Sequence, residues 1–255
     1  MTREHDPHAY EKFRPDIYVR QYYEYLGTEN LAILRFLTQE FQRWAPGGRM
    51  LDFGCGPTIY QFIAAAARVQ EIHVADFLPR NLQAIQDWVA AKPGVFDWRE
   101  YTSAVLAQEG LTPVDAHAIE AREAQIRKKL TRYLHCDLTA DEPVAGVADG
   151  FYDILMSNYC LEQIAPHHDF EDRLARVFAL LRPGGRLILQ FTCGMLSYPV
   201  GDDDFATLPL DENDFLRILP RLGFAPASMV CQVVEAEAGL HRSYERFALM
   251  AASKA

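Results

Sequence analysis

The sequence predicts an α/β protein built on a mixed sheet of seven strands. Short apolar segments alternate with helical segments along its 255 residues, which is the pattern of parallel strands joined by crossover helices. The last two apolar segments have no helix between them, so we expect them to pair as an antiparallel hairpin at one edge of the sheet. A glycine-rich turn follows the first strand, at the end where open sheets of this kind bind ligands.

Each predicted strand is a short apolar run bounded by turn residues. The seven segments are Arg49–Gly54, Glu71–Asp76, Tyr133–Asp137, Tyr152–Asn158, Arg186–Thr192, Ala227–Val234 and Arg246–Ala252. The helices predicted between them are Thr58–Val69, Asn81–Ala91, Phe170–Leu181 and Glu212–Leu222. The fourth strand is apolar enough to lie at the centre of the sheet, and the Arg-Pro-Gly-Gly string at residues 182–185 predicts the turn into the fifth.

Two helical regions stand outside this alternation. Residues 16–43 predict two helices that break near Gly27, because apolar and aromatic residues recur there at spacings of three and four. Residues 93–130 are a long insertion, in which Val114–Leu130 has the Ala, Glu, Arg and Lys content of a surface helix. The total length favours one elaborated domain over residues 1–255 rather than two domains.

The composition predicts a folded protein, either an enzyme that acts on a small molecule or an interaction module. Hydrophobic residues make up 49% of the chain and charged residues 24%, so there is ample material for a buried core. The net charge of −10 disfavours a nucleic-acid partner, which requires a basic surface. The segment Met1–Pro7 is polar and no apolar run reaches about 18 residues, so we expect a cytoplasmic protein with neither a signal peptide nor a membrane partner.

The sequence predicts no metal site. Its cysteines are odd in number, have no CxxC spacing, and are expected to be reduced, mostly buried thiols: Cys55, Cys136, Cys160, Cys193 and Cys231. His167 and His168 are adjacent, so their side chains would point in different directions on a helix or a strand, and a shared metal ion is not expected.

The strongest local motif is Leu-Asp-Phe-Gly-Cys-Gly-Pro at residues 51–57. Gly54 and Gly56 allow the backbone to turn sharply and to approach a ligand without Cβ interference. Asp76 ends the next strand about 20 residues further on, where an acid can accept hydrogen bonds from both hydroxyls of a ribose. Ile59 stands where a dinucleotide site needs a third glycine, so the motif favours a ligand without a pyrophosphate over NAD.

Longer motifs give the chain a specific resemblance. They are Tyr10-x-x-Phe13-x-Pro15-x-x-Tyr18 with Tyr22-Tyr23, Asp52-Phe-Gly-Cys-Gly-Pro-Thr-Ile-Tyr-Gln61, Phe96-Asp-Trp98, Cys136-Asp137, Cys160-Leu-Glu162, Arg182-Pro-Gly-Gly185 and Leu208-Pro-Leu210. Together they resemble the nicotinamide, phenylethanolamine, indolethylamine and thioether methyltransferases, and the resemblance covers nearly the whole chain. It implies a class I, Rossmann-like methyltransferase that binds S-adenosylmethionine (SAM), with residues 1–45 as a helical lid and residues 93–130 as a helical insertion.

The resemblance also implies which residues hold the cofactor. The tyrosines of the lid would reach the methionine end of SAM, and the residues after the first three strands would hold the ribose and the adenine. The implied set is Tyr10, Tyr18, Tyr23, Asp52, Gly54, Gly56, Thr58, Tyr60, Asp76, Asn81, Asp137, Leu138 and Asn158. Tyrosine rings and carboxylates can stabilise a sulfonium cation, and a lid excludes water from an alkyl transfer. An aromatic stripe that merely packs on the core is the alternative for the tyrosines.

The acceptor side departs from the family pattern. Glu162 matches an acid of the phenylethanolamine branch and, with Asn158 and Tyr18, is a candidate catalytic residue. Other acids of the family are missing: Phe191 replaces an Asp of the nicotinamide branch, and residues 194–195 and 241–242 hold no acid. We therefore expect a more aromatic substrate pocket.

Four residues are candidates for its wall, with ordinary core packing as the alternative for the aromatic ones. They are Tyr159, Phe191, Ser197 and Tyr198. Arg242 is a candidate for binding an acceptor carboxylate, with a solvated surface role as the alternative.

Three functions follow from these residues. The first is N-methylation of a small amine with release of S-adenosylhomocysteine, in which Glu162 orients the acceptor. The second is attack of SAM's own amino group on its γ-carbon, which would give azetidine-2-carboxylate and methylthioadenosine; the missing acid at Phe191 suggests it, with Asn158 or Ser197 bonding to the amine. The third is a non-catalytic SAM-binding protein. The partner is a small molecule in the first two cases, and the protein is expected to be a monomer or a homodimer.

Overall fold

The computed structural model describes residues 7–163, 169–236 and 244–255. His167, His168, His241 and Arg242 lie outside the described residues. Within these residues the chain forms an α/β fold in which helices cover both faces of a seven-stranded sheet. The predicted fold class is therefore confirmed.

The helices and strands follow the predicted order. The helices are α1 (Pro15–Tyr23), α2 (Thr28–Arg43), α3 (Tyr60–Ala65), α4 (Pro79–Val89), α5 (Arg99–Gln108), α6 (Ala116–Lys129), α7 (Phe170–Ala179) and α8 (Glu212–Arg221). The strands are β1 (Arg49–Phe53), β2 (Glu71–Asp76), β3 (Leu130–His135), β4 (Tyr152–Asn158), β5 (Leu181–Thr192), β6 (Ser197–Val200), β7 (Asp203–Ala206), β8 (Val230–Glu235) and β9 (Arg246–Ser253). Short 3₁₀ helices occupy Pro7–Lys12, Leu161–Gln163 and Pro226–Ser228.

The strand order of the large sheet is β3-β2-β1-β4-β5-β9-β8. The first five of these strands pair in parallel, whereas β9 pairs antiparallel to both β5 and β8. The chain leaves β1 in one direction for β2 and β3, and later returns on the other side of β1 for β4 and β5. Such a reversal leaves a crevice at the carboxyl ends of β1 and β4, which is where open α/β sheets bind ligands.

The core lies on both faces of the sheet because successive side chains of a strand point to opposite sides. Ile154 and Leu155 in β4 are both buried, yet they belong to two different hydrophobic clusters. A strand buried on both faces has no polar side to alternate with, which is why these strands are continuous apolar runs in the sequence.

Two features were not predicted. The insertion contains a second helix, α5, and α6 runs directly into β3, which begins three residues before the predicted Tyr133. The residues after β5 form a hairpin of β6 and β7, whose strands have four residues each. Apolar periodicity does not predict this hairpin, because few of its positions are both apolar and regularly spaced. Pro199 and the run Asp202–Asp204 interrupt the pattern.

No helix among the described residues combines the length and the hydropathy that crossing a membrane requires.

Candidate active site

A cavity of about 930 Å³, its open mouth included, lies at the carboxyl ends of β1, β2, β3 and β4. Every predicted cofactor residue except Asp52 lines it. These residues are Tyr10, Tyr18, Tyr23, Gly54, Gly56, Thr58, Tyr60, Asp76, Asn81, Asp137, Leu138 and Asn158. The structure thus brings together residues from the N-terminal region and from the ends of four strands.

The two glycines of the turn after β1 serve different purposes. Both have positive φ angles, +72° at Gly54 and +59° at Gly56, which favour glycine. A Cβ on Gly54 would lie 2.0 Å from the Sγ of Cys160, so this position also needs the space. A Cβ on Gly56 would meet no heavy atom of the described residues within 4 Å, and Gly56 lines the cavity, so the missing side chain there leaves room for a ligand.

Asp76 is fixed at the end of β2 by three donors. Its Oδ2 accepts the backbone N–H of Gly56 at 2.8 Å, and its Oδ1 accepts the backbone N–H of Leu78 at 2.8 Å and the Nδ2 of Asn81 at 3.0 Å. The side chain is buried, and burial raises the pKa of this carboxyl although the three hydrogen bonds act in the opposite direction. The carboxylate is therefore held rigidly beside the cavity.

Asp52 lies under the glycine turn rather than in the cavity wall. It is fully buried, and its Oδ2 accepts the Nε2 of Gln61 at 2.8 Å. The same amide nitrogen donates to the backbone carbonyls of Cys55 and Thr58, both at 3.2 Å. Asp52 thus braces the turn through Gln61, and burial raises the pKa of its carboxyl to about 7.

The tyrosines form a continuous aromatic wall. Tyr23 stacks on Tyr60 with ring centroids 5.2 Å apart, and the ring centroids of Tyr18 and Tyr23 are 5.9 Å apart. The hydroxyl of Tyr60 donates to the Oε1 of Gln190 at 3.1 Å. The guanidinium of Arg80 donates to the backbone carbonyls of residues 10, 11 and 13, which ties the N-terminal segment to α4.

Several buried polar atoms in the cavity wall have no hydrogen-bond partner in the part of the chain that the structure describes. They include the Nδ2 and Oδ1 of Asn158 and the Oδ1 of Asn81. Buried polar groups are almost always hydrogen-bonded, so this wall is shaped for a polar ligand. SAM fits it, since Asp76 offers a carboxylate to ribose hydroxyls and the tyrosine rings suit a sulfonium. No cluster of His, Cys, Asp or Glu among the described residues is suited to a metal ion.

A second cavity of about 490 Å³, its open mouth included, adjoins the first and is called here the acceptor chamber. The two share part of their walls: Tyr18, Tyr23, Tyr159, Gln163 and Tyr198. The rest of the chamber is lined by Tyr22, Glu29, Asn30, Ile33, Thr192, Met195 and Tyr244. A small molecule in the chamber would therefore lie directly beside one in the cofactor cavity.

Of the predicted substrate-pocket residues, Tyr159 and Tyr198 line both cavities, whereas Phe191 and Ser197 line neither. Phe191 points to the opposite face of β5 from Thr192 and packs on Phe215, with ring centroids 4.4 Å apart. Strand alternation is the reason, because neighbouring residues of a strand cannot share a face. Ser197 is placed in β6, opposite Ala206 of the hairpin.

Glu162 lies behind the chamber wall. Its side chain is buried, and its Oε1 accepts the backbone N–H of Thr192 at 3.3 Å. Thr192 lines the acceptor chamber, but Glu162 lines neither cavity. Burial raises the pKa of the Glu162 carboxyl to about 7.

Glu29 was not singled out by the sequence. It is a buried acid in the first turn of α2, it lines the acceptor chamber, and the hydroxyl of Tyr244 donates to it. Acids are common in the first turn of a helix because they interact favourably with the helix dipole. The residue type alone therefore gave no reason to place Glu29 at a site.

The raised pKa values of Asp52 and Glu162 predict that stability falls as the pH rises. Their carboxyls titrate near pH 4 in an unfolded chain and near pH 7 in the fold. The folded state therefore holds these protons more tightly, and the stability they contribute is complete below pH 4 and is lost progressively as the pH rises from 4 through 7. Between pH 5.5 and 8 we expect each group to lower the free energy of unfolding by about 2 kcal/mol.

Thermal unfolding at pH 5.5 and pH 8 measures this effect. The difference in Tm between the two pH values should be smaller in Asp52→Asn and in Glu162→Gln than in the wild type, and unchanged in the exposed-site control Glu24→Gln. Equal differences in all four proteins would contradict the assignment.

Comparison with known proteins identifies the family. A model of the NNMT/PNMT/TEMT family matches residues 3–254. The chain is 32% identical over 235 residues to indolethylamine N-methyltransferase of Mus musculus, covering 89% of this chain and 85% of that protein. It is 33% identical over 227 residues to phenylethanolamine N-methyltransferase of Bos taurus, covering 84% of this chain and 78% of that protein.

A solved structure supports the fold. The chain resembles the Burkholderia thailandensis 1,6-didemethyltoxoflavin-N1-methyltransferase, a structure that contains bound S-adenosylhomocysteine, with a TM-score of 0.54 and 17% identity. The match covers 100% of this chain and 92% of that one. The predicted class I methyltransferase fold is thereby confirmed. The predicted cofactor is confirmed by the match to this family of methyltransferases. The chain belongs to the NNMT/PNMT/TEMT family, and it is a methyltransferase that uses SAM.

Proposed function

We propose that this enzyme transfers the methyl group of SAM to the nitrogen of a small amine and releases S-adenosylhomocysteine. The observation that carries the proposal is the acceptor chamber, which shares its wall with the cofactor cavity and is lined by tyrosines and by the carboxylate of Glu29. The names of the two relatives, both N-methyltransferases of amines, support the same acceptor class.

The cofactor-binding roles are part of this proposal. Asp76 accepts hydrogen bonds from the ribose hydroxyls, Asn81 contacts the adenosine, and Asp137 and Leu138 flank the adenine. The amide of Asn158, which has no partner among the described residues, binds the methionine portion. Bound SAM supplies an electrophilic methyl group.

The N-terminal region contributes tyrosines to the same site. Tyr10, Tyr18 and Tyr23 form the N-terminal side of the cavity wall. Thr58 and Tyr60 lie beside the methionine portion. We propose residues 1–45 as a lid within a single domain. Because the rings of this lid cover the transfer site, they exclude water and leave the sulfonium against aromatic faces.

Glu162 is a positioning residue in this scheme. Its carboxyl holds the backbone of Thr192, and Thr192 forms part of the chamber wall. A methyl transfer is sensitive to small errors in the position of the acceptor, so an acid that fixes the wall affects turnover without touching the substrate.

The structure removes the reason for considering the cyclisation of SAM. It depended on the absence of an acid at residue 191, but Phe191 faces away from both cavities. An acid at residue 191 would point to the same face of β5 as Phe191 and would not reach an acceptor in the chamber. The acceptor chamber, moreover, provides space for an external molecule.

The test is to incubate the enzyme with SAM and a panel of primary and secondary amines, with the corresponding alcohols as controls, and to measure S-adenosylhomocysteine by mass spectrometry. Release should depend on an amine and should be absent with the alcohols. SAM alone is included, because methylthioadenosine and azetidine-2-carboxylate formed together would replace methyl transfer by cyclisation. Intact SAM under all conditions, despite tight binding, would argue against an amine acceptor.

A further inference from the structure

Tyr159 has an unusual backbone conformation at the boundary between the two cavities. Its φ angle is +53°, in the left-handed region that a residue with a bulky side chain rarely adopts. The conformation is held on both sides, because the N–H of Tyr159 donates to the carbonyl of Gln190 at 2.7 Å and its carbonyl accepts the Nε2 of Gln163. Strain of this kind persists where the surrounding structure enforces it, and it concentrates at functional sites.

The strained backbone directs the ring of Tyr159 between the cavities. The residue lines both the cofactor cavity and the acceptor chamber. Its Oη is buried and has no hydrogen-bond partner within residues 7–163, 169–236 and 244–255. Other hydroxyls of the chamber are bonded, since Tyr198 donates to the Oε1 of Gln163 at 3.0 Å and Tyr22 donates to the carbonyl of Pro199 at 2.8 Å.

A buried hydroxyl without a partner destabilises the fold, because it has lost its hydrogen bonds to water and gained none. Such a group therefore contributes no stability to the protein in the absence of a ligand. A ligand that reaches the boundary of the two cavities would restore the missing bond. The burial of Tyr159 also raises its pKa well above 10, so the phenol remains protonated and neutral.

We infer that the hydroxyl of Tyr159 contacts the methyl acceptor and accepts a hydrogen bond from the N–H of the attacking amine. This inference rests on the proposed methyl transfer and narrows its substrate class to primary and secondary amines, which keep an N–H while the lone pair attacks. A hydrogen bond through that N–H turns the lone pair of the nitrogen toward the cofactor cavity.

The amine nitrogen uses this electron pair to form its bond to the methyl carbon. The electrons of the breaking carbon–sulfur bond stay with sulfur. The proton carried by the product ammonium is released to solvent.

The variant Tyr159→Phe removes the oxygen and keeps the ring. We expect its Tm to rise by a few degrees, because an unsatisfied buried group is deleted. Binding of S-adenosylhomocysteine, measured by calorimetry, should stay within about twofold, since the ring wall is retained. Binding of a primary amine to the S-adenosylhomocysteine complex should weaken about tenfold, and kcat/KM should fall about 10- to 100-fold, as expected for the loss of one oriented hydrogen bond.

Tyr152→Phe is the matched control. Tyr152 is also a buried tyrosine, but its hydroxyl is hydrogen-bonded to the Nδ1 of His73 at 2.9 Å, and it lines neither cavity. Its loss should lower the Tm and leave amine binding and turnover unchanged. The opposite signs of the two changes in Tm, with an effect on the amine in only one variant, distinguish a substrate-binding hydroxyl from a structural one.

The outcomes separate the inference from the proposed function. Methyl transfer that is equal in the wild type and in Tyr159→Phe overturns the inference and leaves the proposed function intact. Amine binding that depends on Tyr159 without any release of S-adenosylhomocysteine overturns the proposed function and keeps the contact. A wild-type complex that binds none of the amines, or a Tm that falls in Tyr159→Phe, overturns the inference.

Discussion

Replacing Asp76 by Ala should weaken SAM binding by about 100-fold or more. The carboxylate is the acceptor for three donors that shape the cavity floor, namely the N–H groups of Gly56 and Leu78 and the amide of Asn81. Hydrogen bonds to a charged group are worth roughly 1.5 to 3 kcal/mol each, and the two ribose hydroxyls would lose such a partner. Calorimetric titration with S-adenosylhomocysteine, well below the Tm of the variant, measures the loss.

Two controls accompany this measurement. Asp172→Ala removes an acid from the exposed face of α7 and should bind the cofactor normally. Asp76→Asn keeps the shape of the side chain but gives up half of its accepting capacity, so its affinity should lie between those of the wild type and the Ala variant. An affinity close to the wild type in Asp76→Ala would exclude Asp76 from ribose binding.

Alanine should affect mainly the stability of the fold at Gly54 and mainly the affinity for SAM at Gly56, the two glycines of the turn after β1. Gly54→Ala places a Cβ 2.0 Å from the sulfur of Cys160 and 2.5 Å from its Cβ, so the backbone must shift and we expect a loss of about 3 to 5 kcal/mol in stability. Gly56→Ala meets nothing among the described residues and should cost only about 1 kcal/mol through its positive φ angle. Its methyl group points into the cavity, however, so SAM affinity should fall about 10- to 100-fold.

Thermal unfolding and cofactor titration of both variants give the two readouts. Gly94→Ala controls for backbone strain alone, because Gly94 has a φ angle of +82° and no described atom within 4 Å of an added Cβ, and it lines neither cavity. Equal losses of stability at Gly54 and Gly56 would mean that the steric contact with Cys160 is relieved elsewhere in the turn.

The sheet and the cofactor side of the site could be predicted from the sequence because both depend on local signals. A parallel strand buried on both faces is a continuous apolar run, and a glycine turn followed about 20 residues later by an acid is typical of nucleoside-binding sites. Hence Gly54, Gly56 and Asp76 could be assigned to one cavity from the sequence alone. Their proposed contacts with the cofactor stay predictions.

The acceptor side could not be predicted in the same way because it depends on orientation and on distant pairs. Whether Phe191 or Thr192 faces the chamber is decided by a shift of one residue in β5, which an apolar run does not reveal. Glu29 reaches the chamber because α2 packs beside the sheet, and no local pattern encodes that contact. The hydroxyl of Tyr159 lacks a partner among the described residues because of its surroundings, which the residue type does not reveal.

The contact between Gly54 and Cys160 also constrains how the sequence can evolve. The two residues lie after β1 and after β4, and the side chain of one occupies the space that the other leaves empty. A side chain at 54 would therefore overlap the cysteine at 160. Glycine at 54 is thus required twice, by its positive φ angle and by the side chain of a residue more than 100 positions further along the chain.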